Sequence, residues 1–259
     1  MRARRRAVVA GLLLVTAAST AAAERDFAFT WTTHVLERGR DDLEVWLTPR
    51  LGRVEDYSNL ETRFAWTHGV VKDLESQVSL DLAFETTKTT HSVDPRLSSL
   101  WRWAPWKADD VVGLGVVGRA SLGFDVLEVE ARLVADKRLG EVLLAANALA
   151  SQSFLWNGRS GATTRLEESL GVAYQVAPFC HAGLEVRVKS AFARGAYQGT
   201  ALYVGPTLAF RFKPVWFALG ATAQVVADQA KEDEGTAEPL ALRDDERFVL
   251  RLTFGFPTD

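Results

Sequence analysis

One cysteine, Cys180, stands in 259 residues, so no disulfide can form within the chain and no thiolate cluster can hold zinc. Cys180 reads as a small strand residue. Beyond the amino terminus no stretch approaches the roughly 18 uncharged apolar residues that a membrane helix needs. No glycine-rich phosphate loop is present, because Gly113-x-Gly115 falls within a strand pattern. A basic surplus is also missing. The chain has 30 basic and 33 acidic residues, net −3, which argues against nucleic-acid binding.

The first residues are of a different kind. Arg2, Arg4, Arg5 and Arg6 form a basic region, Ala7 to Val15 a short apolar one, and Ala21-Ala22-Ala23 a cleavage site before Glu24. This pattern predicts a secretory signal peptide over residues 1–23. Its removal takes four arginines and leaves 26 basic against 33 acidic residues, net −7. An exported chain without an apolar helix can still live in a membrane if it forms a closed barrel.

Period-two alternation dominates the rest of the chain. Leu60, Thr62, Phe64 and Trp66 share one face against Glu61, Arg63, Ala65 and Thr67. After an expected turn at 68–73, Leu74, Ser76, Val78, Leu80, Leu82 and Phe84 oppose Glu75, Gln77, Ser79, Asp81, Ala83 and Glu85. Successive side chains leave a strand on opposite sides, and runs of about ten residues cross a bilayer when tilted. The same reading places strands near 42–51, 95–103, 110–120, 125–135, 141–155, 163–176, 180–192, 200–212, 215–226 and 247–256. Helix propensity competes at Val142 to Ala146, but neighbouring strands and the spacing of Asn147, Ser151 and Ser153 favour a strand. Pro206 calls for a bulge, since proline removes a ladder hydrogen bond. Glu168, on an otherwise apolar face with Leu166 and Leu170, calls either for a local bulge that turns it inward or for a contact with another subunit.

The predicted fold is all-β: a transmembrane antiparallel up-and-down β-barrel of about 12 strands over residues 41–259, after a periplasmic lead-in at 24–40. Turns after even strands are mostly short, as at the periplasmic side of bacterial barrels. Trp66, Trp101, Trp103, Tyr174, Phe210, Phe212, Phe217, Phe254 and Phe256 gather at those strand ends, and Phe84, Phe154 and Phe192 at the other. Two aromatic girdles around an aliphatic belt mark a bilayer. The expected location is the outer membrane of a Gram-negative cell. Expected partners are outer-membrane lipid and lipopolysaccharide, the barrel-assembly machinery through the terminal strand Phe248 to Phe256, and a small solute.

Phe27-Ala28-Phe29-Thr30, Leu36-Glu37-Arg38-Gly39-Arg40 with Leu43-Glu44, and His68-Gly69-Val70-Val71-Lys72-Asp73-Leu74-Glu75 carry a resemblance to the phenol-degradation, meta-pathway transporter-like family of outer-membrane barrels and its uncharacterised relatives. The likeness covers mainly the first third. It implies passage of small, often apolar compounds and supplies no catalytic motif.

Three function classes compete: a channel or uptake barrel, a lipid-modifying enzyme, or a structural or adhesion barrel with a salt-bridged lumen. An enzyme of this kind needs a Ser–His pair with an orienting group. His34, His68, His91 and His181 fall in the lead-in, a turn, a loop and a strand end. The reading is therefore non-catalytic, with no cofactor and no metal; Glu232-Asp233-Glu234 and Asp244-Asp245-Glu246 read as a solvated acidic loop. The residues expected to line the lumen are Glu61, Arg63, Glu75, Asp81, Arg102, Arg119, Glu128, Glu130, Arg132, Arg165, Glu167, Glu185, Arg187, Arg211 and Arg251. Small inward glycines, Gly113, Gly115, Gly171, Gly183, Gly205 and Gly220, are expected to leave a narrow, slightly cationic path between them.

Overall fold

A computed structural model describes residues 25–51, 58–86, 90–155, 162–229 and 247–258. The expected signal peptide, the loop at 157–161 and most of the acidic loop 227–246 lie outside the described residues. Among the described residues twelve strands form: β1 (Asp41–Leu51), β2 (Ser58–Val71), β3 (Leu74–Thr86), β4 (His91–Trp106), β5 (Gly113–Leu122), β6 (Val126–Leu139), β7 (Val142–Leu155), β8 (Ala162–Ala177), β9 (Cys180–Ala193), β10 (Ala196–Phe212), β11 (Val215–Gln229) and β12 (Phe248–Thr258). Each pairs antiparallel with its neighbours in sequence, and β1 pairs with β12 to close the barrel. Closure leaves no strand edge to satisfy, the condition for β-structure in lipid.

The alternation sorts side chains as the chemistry demands. Leu60, Phe64 and Trp66 of β2, and Val78, Leu80 and Phe84 of β3, are exposed on the outer face. Glu75, Gln77 and Ser79 of β3 are buried on the inner one. Trp66, Trp101, Trp103, Trp106 and Tyr174 are exposed at the end that carries the short turns. That end also holds the start of β1 and the end of β12, and it is the periplasmic side.

Strands run further than the alternation suggested. The stretch expected as a turn at 68–73 is strand through Val71, and only Lys72-Asp73 turn, with Asp73 in the left-handed region at φ 64°. Likewise β6 continues through Leu139 before Gly140 turns at φ 62°. Two expected bulges are corrected. The irregularity between β10 and β11 falls at Leu202/Tyr203, while Pro206 stays in register with Leu184 of β9. Around Glu168 the register is unbroken on both sides, Ala148↔Glu168 and Glu168↔Val188, so the residue remains on the outer face. Its neighbours there are small or aliphatic, and the ladder has no packing conflict to relieve by slipping.

Residues 25–40 are not a strand of the wall. From Asp26 to Leu36 the chain is almost entirely buried, and it lies inside the barrel, in the periplasmic half of the lumen.

Candidate functional site

The inner segment packs by its rings. Phe27 nests with Leu143, Ala145 and Ala173 of β7 and β8. Phe29 meets Ala201, Tyr203 and Val249 of β10 and β12. Trp31 meets Trp46, Leu100, Val117 and Val134 of β1, β4, β5 and β6. Burying each ring stabilises the seat by about 2 kcal/mol. The wall makes room for them. A Cβ on Gly171 would lie 2.6 Å from the Phe27 ring, and one on Gly220 would lie 2.4 Å from the Ala28 side chain. These two glycines therefore do not leave the open path expected of them; the segment fills the space.

A buried segment with no sheet partner must find acceptors for its backbone N–H groups elsewhere. Wall side chains supply them. Glu185, fully buried on β9, accepts from Ala28 (2.9 Å), Phe29 (3.0 Å) and Thr30 (2.6 Å). Asn147 of β7 accepts from the Trp31 N–H at 2.7 Å and donates to its carbonyl at 2.9 Å. Asp136 of β6 accepts from Thr33 N–H at 2.6 Å and from its hydroxyl. Glu75 of β3 accepts from Leu36 N–H at 2.8 Å and pairs with Arg102 at 2.5 Å. Hydrogen bonds to ionised acceptors are worth roughly twice neutral ones, so this is a strong seat. Ion pairs complete it: Arg25 to Glu44 at 3.1 Å, and Asp26 to Arg211. At its end the segment latches to β2, where Gly39 N–H donates to the Gly69 carbonyl at 2.7 Å and Gly69 N–H to the Arg40 carbonyl at 2.9 Å.

Above the segment lies a chamber of about 570 Å³ in the extracellular half. Phe29, Trp31 and Trp46 form its floor, and its upper lining includes Asn59, Glu85, Asp94 and Gln198 near the extracellular strand ends. Of the residues expected in the lumen, Glu61, Arg63, Asp81, Arg119, Glu128, Glu130, Arg132, Arg165, Glu167, Arg187 and Arg251 line this chamber. Glu75, Arg102, Glu185 and Arg211 instead hold the segment. The chamber charges are mostly engaged. Asp81 binds Arg63, Arg119 at 2.5 Å and the Ser98 hydroxyl at 2.6 Å. Arg50 meets Glu61 at 2.5 Å, Arg132 meets Glu130 at 3.1 Å, and Arg96 meets Asp94 and Glu128.

Chamber and floor are joined by guanidinium–ring contacts. Arg25 and Arg63 lie over Trp46 at 4.3 and 4.5 Å, Arg102 and Arg132 over Trp31 at 5.1 Å, and Arg187 and Arg251 over Phe29 at 4.3 and 4.6 Å. Such contacts contribute more once desolvated. Three of the four histidines make local contacts: His68 with Asp41 at 2.8 Å, His91 with Thr86 at 3.3 Å, and His181 with Asp26 at 3.4 Å. Among the described residues no group of three His, Cys, Asp or Glu could hold a metal ion.

Comparison with solved structures finds this architecture in porins and in an autotransporter β domain. The KdgM porin aligns with TM-score 0.54 and 10% identity over 84% of this chain and 99% of that one. The NanC porin aligns with TM-score 0.56 and 11% identity over 83% and 98%. The β domain of the Bordetella autotransporter BrkA aligns with TM-score 0.60 and 8% identity over 86% and 100%. The protein is a twelve-stranded outer-membrane β-barrel. Its own apolar outer belt and aromatic girdle carry that assignment, and these neighbours share the fold. A family model described as a family of unknown function (DUF6662) matches residues 129–257. No curated protein matches the sequence.

The segment itself is what sequence reasoning missed. One signal could have found it. Leu100, Val117, Val134, Leu143 and Val249 point inward among charges, and an aqueous lumen has no use for an apolar floor.

Proposed function

We propose that this protein is a gated outer-membrane channel: small polar solutes enter the chamber from outside, and the segment at 25–36 must shift before they pass. The observation that carries the reading is the floor. A charged chamber ends on Phe29 and Trp31, which belong to a segment held by side chains rather than by the β-ladder. A unit tied by replaceable side-chain bonds can move while the barrel stays closed on itself.

The likeness to barrels titled as porins supports a channel in kind. One of those structures is KdgM in complex with disordered oligogalacturonate, an acidic ligand. The resemblance to the phenol-degradation, meta-pathway transporter-like family points to small, often apolar compounds. A chamber walled by Arg and Glu pairs favours polar solutes over apolar ones, so we narrow the class accordingly. The motifs behind that resemblance acquire roles: Phe27 to Thr30 are the seated rings, and Leu36 to Arg40 with His68 to Glu75 are the latch. Outer-membrane lipid surrounds the barrel, and we assign the terminal strand β12 to recognition by the assembly machinery.

A second reading, a structural barrel with a permanently closed lumen, draws on the number of bonds that hold the segment. Liposome swelling with neutral sugars and sugar acids separates the two. Solute entry that increases when Glu185 is replaced by Gln supports the gate. Absence of entry in both proteins supports the structural barrel.

A further inference from the structure

The chamber charges are not evenly matched. On the β8–β9 wall, Arg187 and Lys189 flank Glu167, and Arg165 stands two residues further up β8, opposite Ala191. Arg187 gives Nε and Nη2 to Glu167 at 3.1 and 3.2 Å. Its Nη1 is buried with no hydrogen-bond partner among the described residues, and the side chain is 6% exposed. Among the described residues Arg165, which is exposed to the chamber, makes no hydrogen bond or ion pair. Across the floor, Arg251 of β12 donates to the Thr48 hydroxyl at 3.2 Å and to the Ala28 carbonyl at 3.4 Å, and meets no carboxylate among the described residues. Its Cζ and that of Arg187 both lie within 5 Å of the Phe29 ring centre, so the two guanidiniums are no more than about 9 Å apart.

The buried Arg187 Nη1 lacks an acceptor and the half-buried Arg251 lacks an ion pair among the described residues, and a buried donor left unmatched calls for a partner. The missing partner is an anion. A carboxylate matches the two-donor fork of arginine, and Glu167 in the same cluster disfavours a second negative charge on the ligand.

We propose that Arg165, Arg187 and Arg251 form a binding site for the carboxylate of a small monoanionic organic acid, and that filling it loosens the N-terminal segment. Arg251 is the link, because one guanidinium covers Phe29 and holds the Ala28 carbonyl. An anion above the floor draws Arg187 and Arg251 off the ring and that carbonyl, which weakens the seat of the segment. The site stands on its own geometry; only the loosening step rests on the channel reading.

The test uses the full mature chain in detergent, titrated calorimetrically with acetate, benzoate and gluconate, with chloride and sulfate as controls. At least one monocarboxylate should bind saturably, one per barrel. Arg165→Ala should weaken binding about tenfold or more without loss of stability, since Arg165 makes no hydrogen bond or ion pair among the described residues. Glu167→Gln should tighten it by removing the competing carboxylate. Binding by none of the three acids, or binding indifferent to Arg165→Ala, overturns the site. In planar bilayers the same acid should raise the opening frequency of the wild type and leave that of Arg165→Ala unchanged; binding without that effect overturns the coupling. Failure to bind, beside conductance released by Glu185→Gln, leaves the channel reading intact. Binding beside a barrel that never conducts removes that reading and keeps the site.

Discussion

Glu185 of the barrel wall accepts the backbone N–H of Thr30 at 2.6 Å, and the same carboxylate takes the N–H groups of Ala28 and Phe29. Three consecutive amides of the inner segment thus share one carboxylate, and among the described residues only that of Ala28 has a second acceptor, the Thr207 hydroxyl at 3.2 Å. Glu185→Gln keeps the shape but presents one acceptor oxygen and one N–H₂ to three donors. It should cost about 2 kcal/mol of stability. It should also expose Arg25 and Arg38 to trypsin added from the periplasmic side of reconstituted vesicles. A variant as resistant as the wild type would show that the segment is held without Glu185.

Gly69 is where the segment is latched. A Cβ built there would lie 1.9 Å from the Glu37 carbonyl oxygen, a backbone atom that cannot swing aside. Gly69→Ala should therefore part β2 from residues 37–40 and destabilise the protein by about 1–3 kcal/mol, read as a lower urea midpoint for unfolding from detergent. The twelve-strand circular-dichroism signature should survive, because the β1–β2 register from Asp41 onward does not use that contact.

Asp81 joins Arg63, Arg119 and Ser98 at the chamber wall. Asp81→Asn leaves two guanidiniums without their acid. The pairs are half-buried, so their loss should cost about 1–2 kcal/mol. The added positive charge should shift reversal potentials in a salt gradient toward greater anion preference. An unchanged selectivity would place the conducting path away from the Asp81 wall.

The barrel was legible in the sequence and the segment was not, for one physical reason. Strands such as β9 announce themselves because Leu184, Val186 and Val188 alternate with Glu185, Arg187 and Lys189, and each strand repeats that sorting. The span from Asp26 to Leu36 has no ladder. Its backbone N–H groups donate to Glu185, Thr207, Asn147, Asp136 and Glu75, residues on five strands whose convergence is a property of the closed barrel. Gly171 and Gly220 read as gaps for the same reason, since nothing local says that Phe27 and Ala28 fill them. The split of the lumen charges, with Glu75, Arg102, Glu185 and Arg211 below and the rest above, reflects depth along the barrel, which alternation does not encode.

Glu168 faces outward at mid-strand, in an apolar groove that includes Ala146, Ala148 and Leu170. A lipid-facing acid at that depth is unfavourable, though less so than the roughly 2–4 kcal/mol of Arg or Lys. Glu168→Leu should raise the stability of refolded protein in lipid vesicles by about 1 kcal/mol. A loss of stability would mean that the carboxyl has a hydrogen-bonding partner in the membrane, such as a second copy of the chain.

Single-channel recording of the wild type beside the double variant Glu185→Gln/Asn147→Ala tests the central claim most directly. These two wall side chains hold the backbone from Ala28 to Trp31. Rare, brief openings are expected in the wild type, and a sustained conductance, several-fold larger in time average, in the variant. A large steady conductance in the wild type, or an equal record from both proteins, would contradict a lumen closed by its own N-terminal segment.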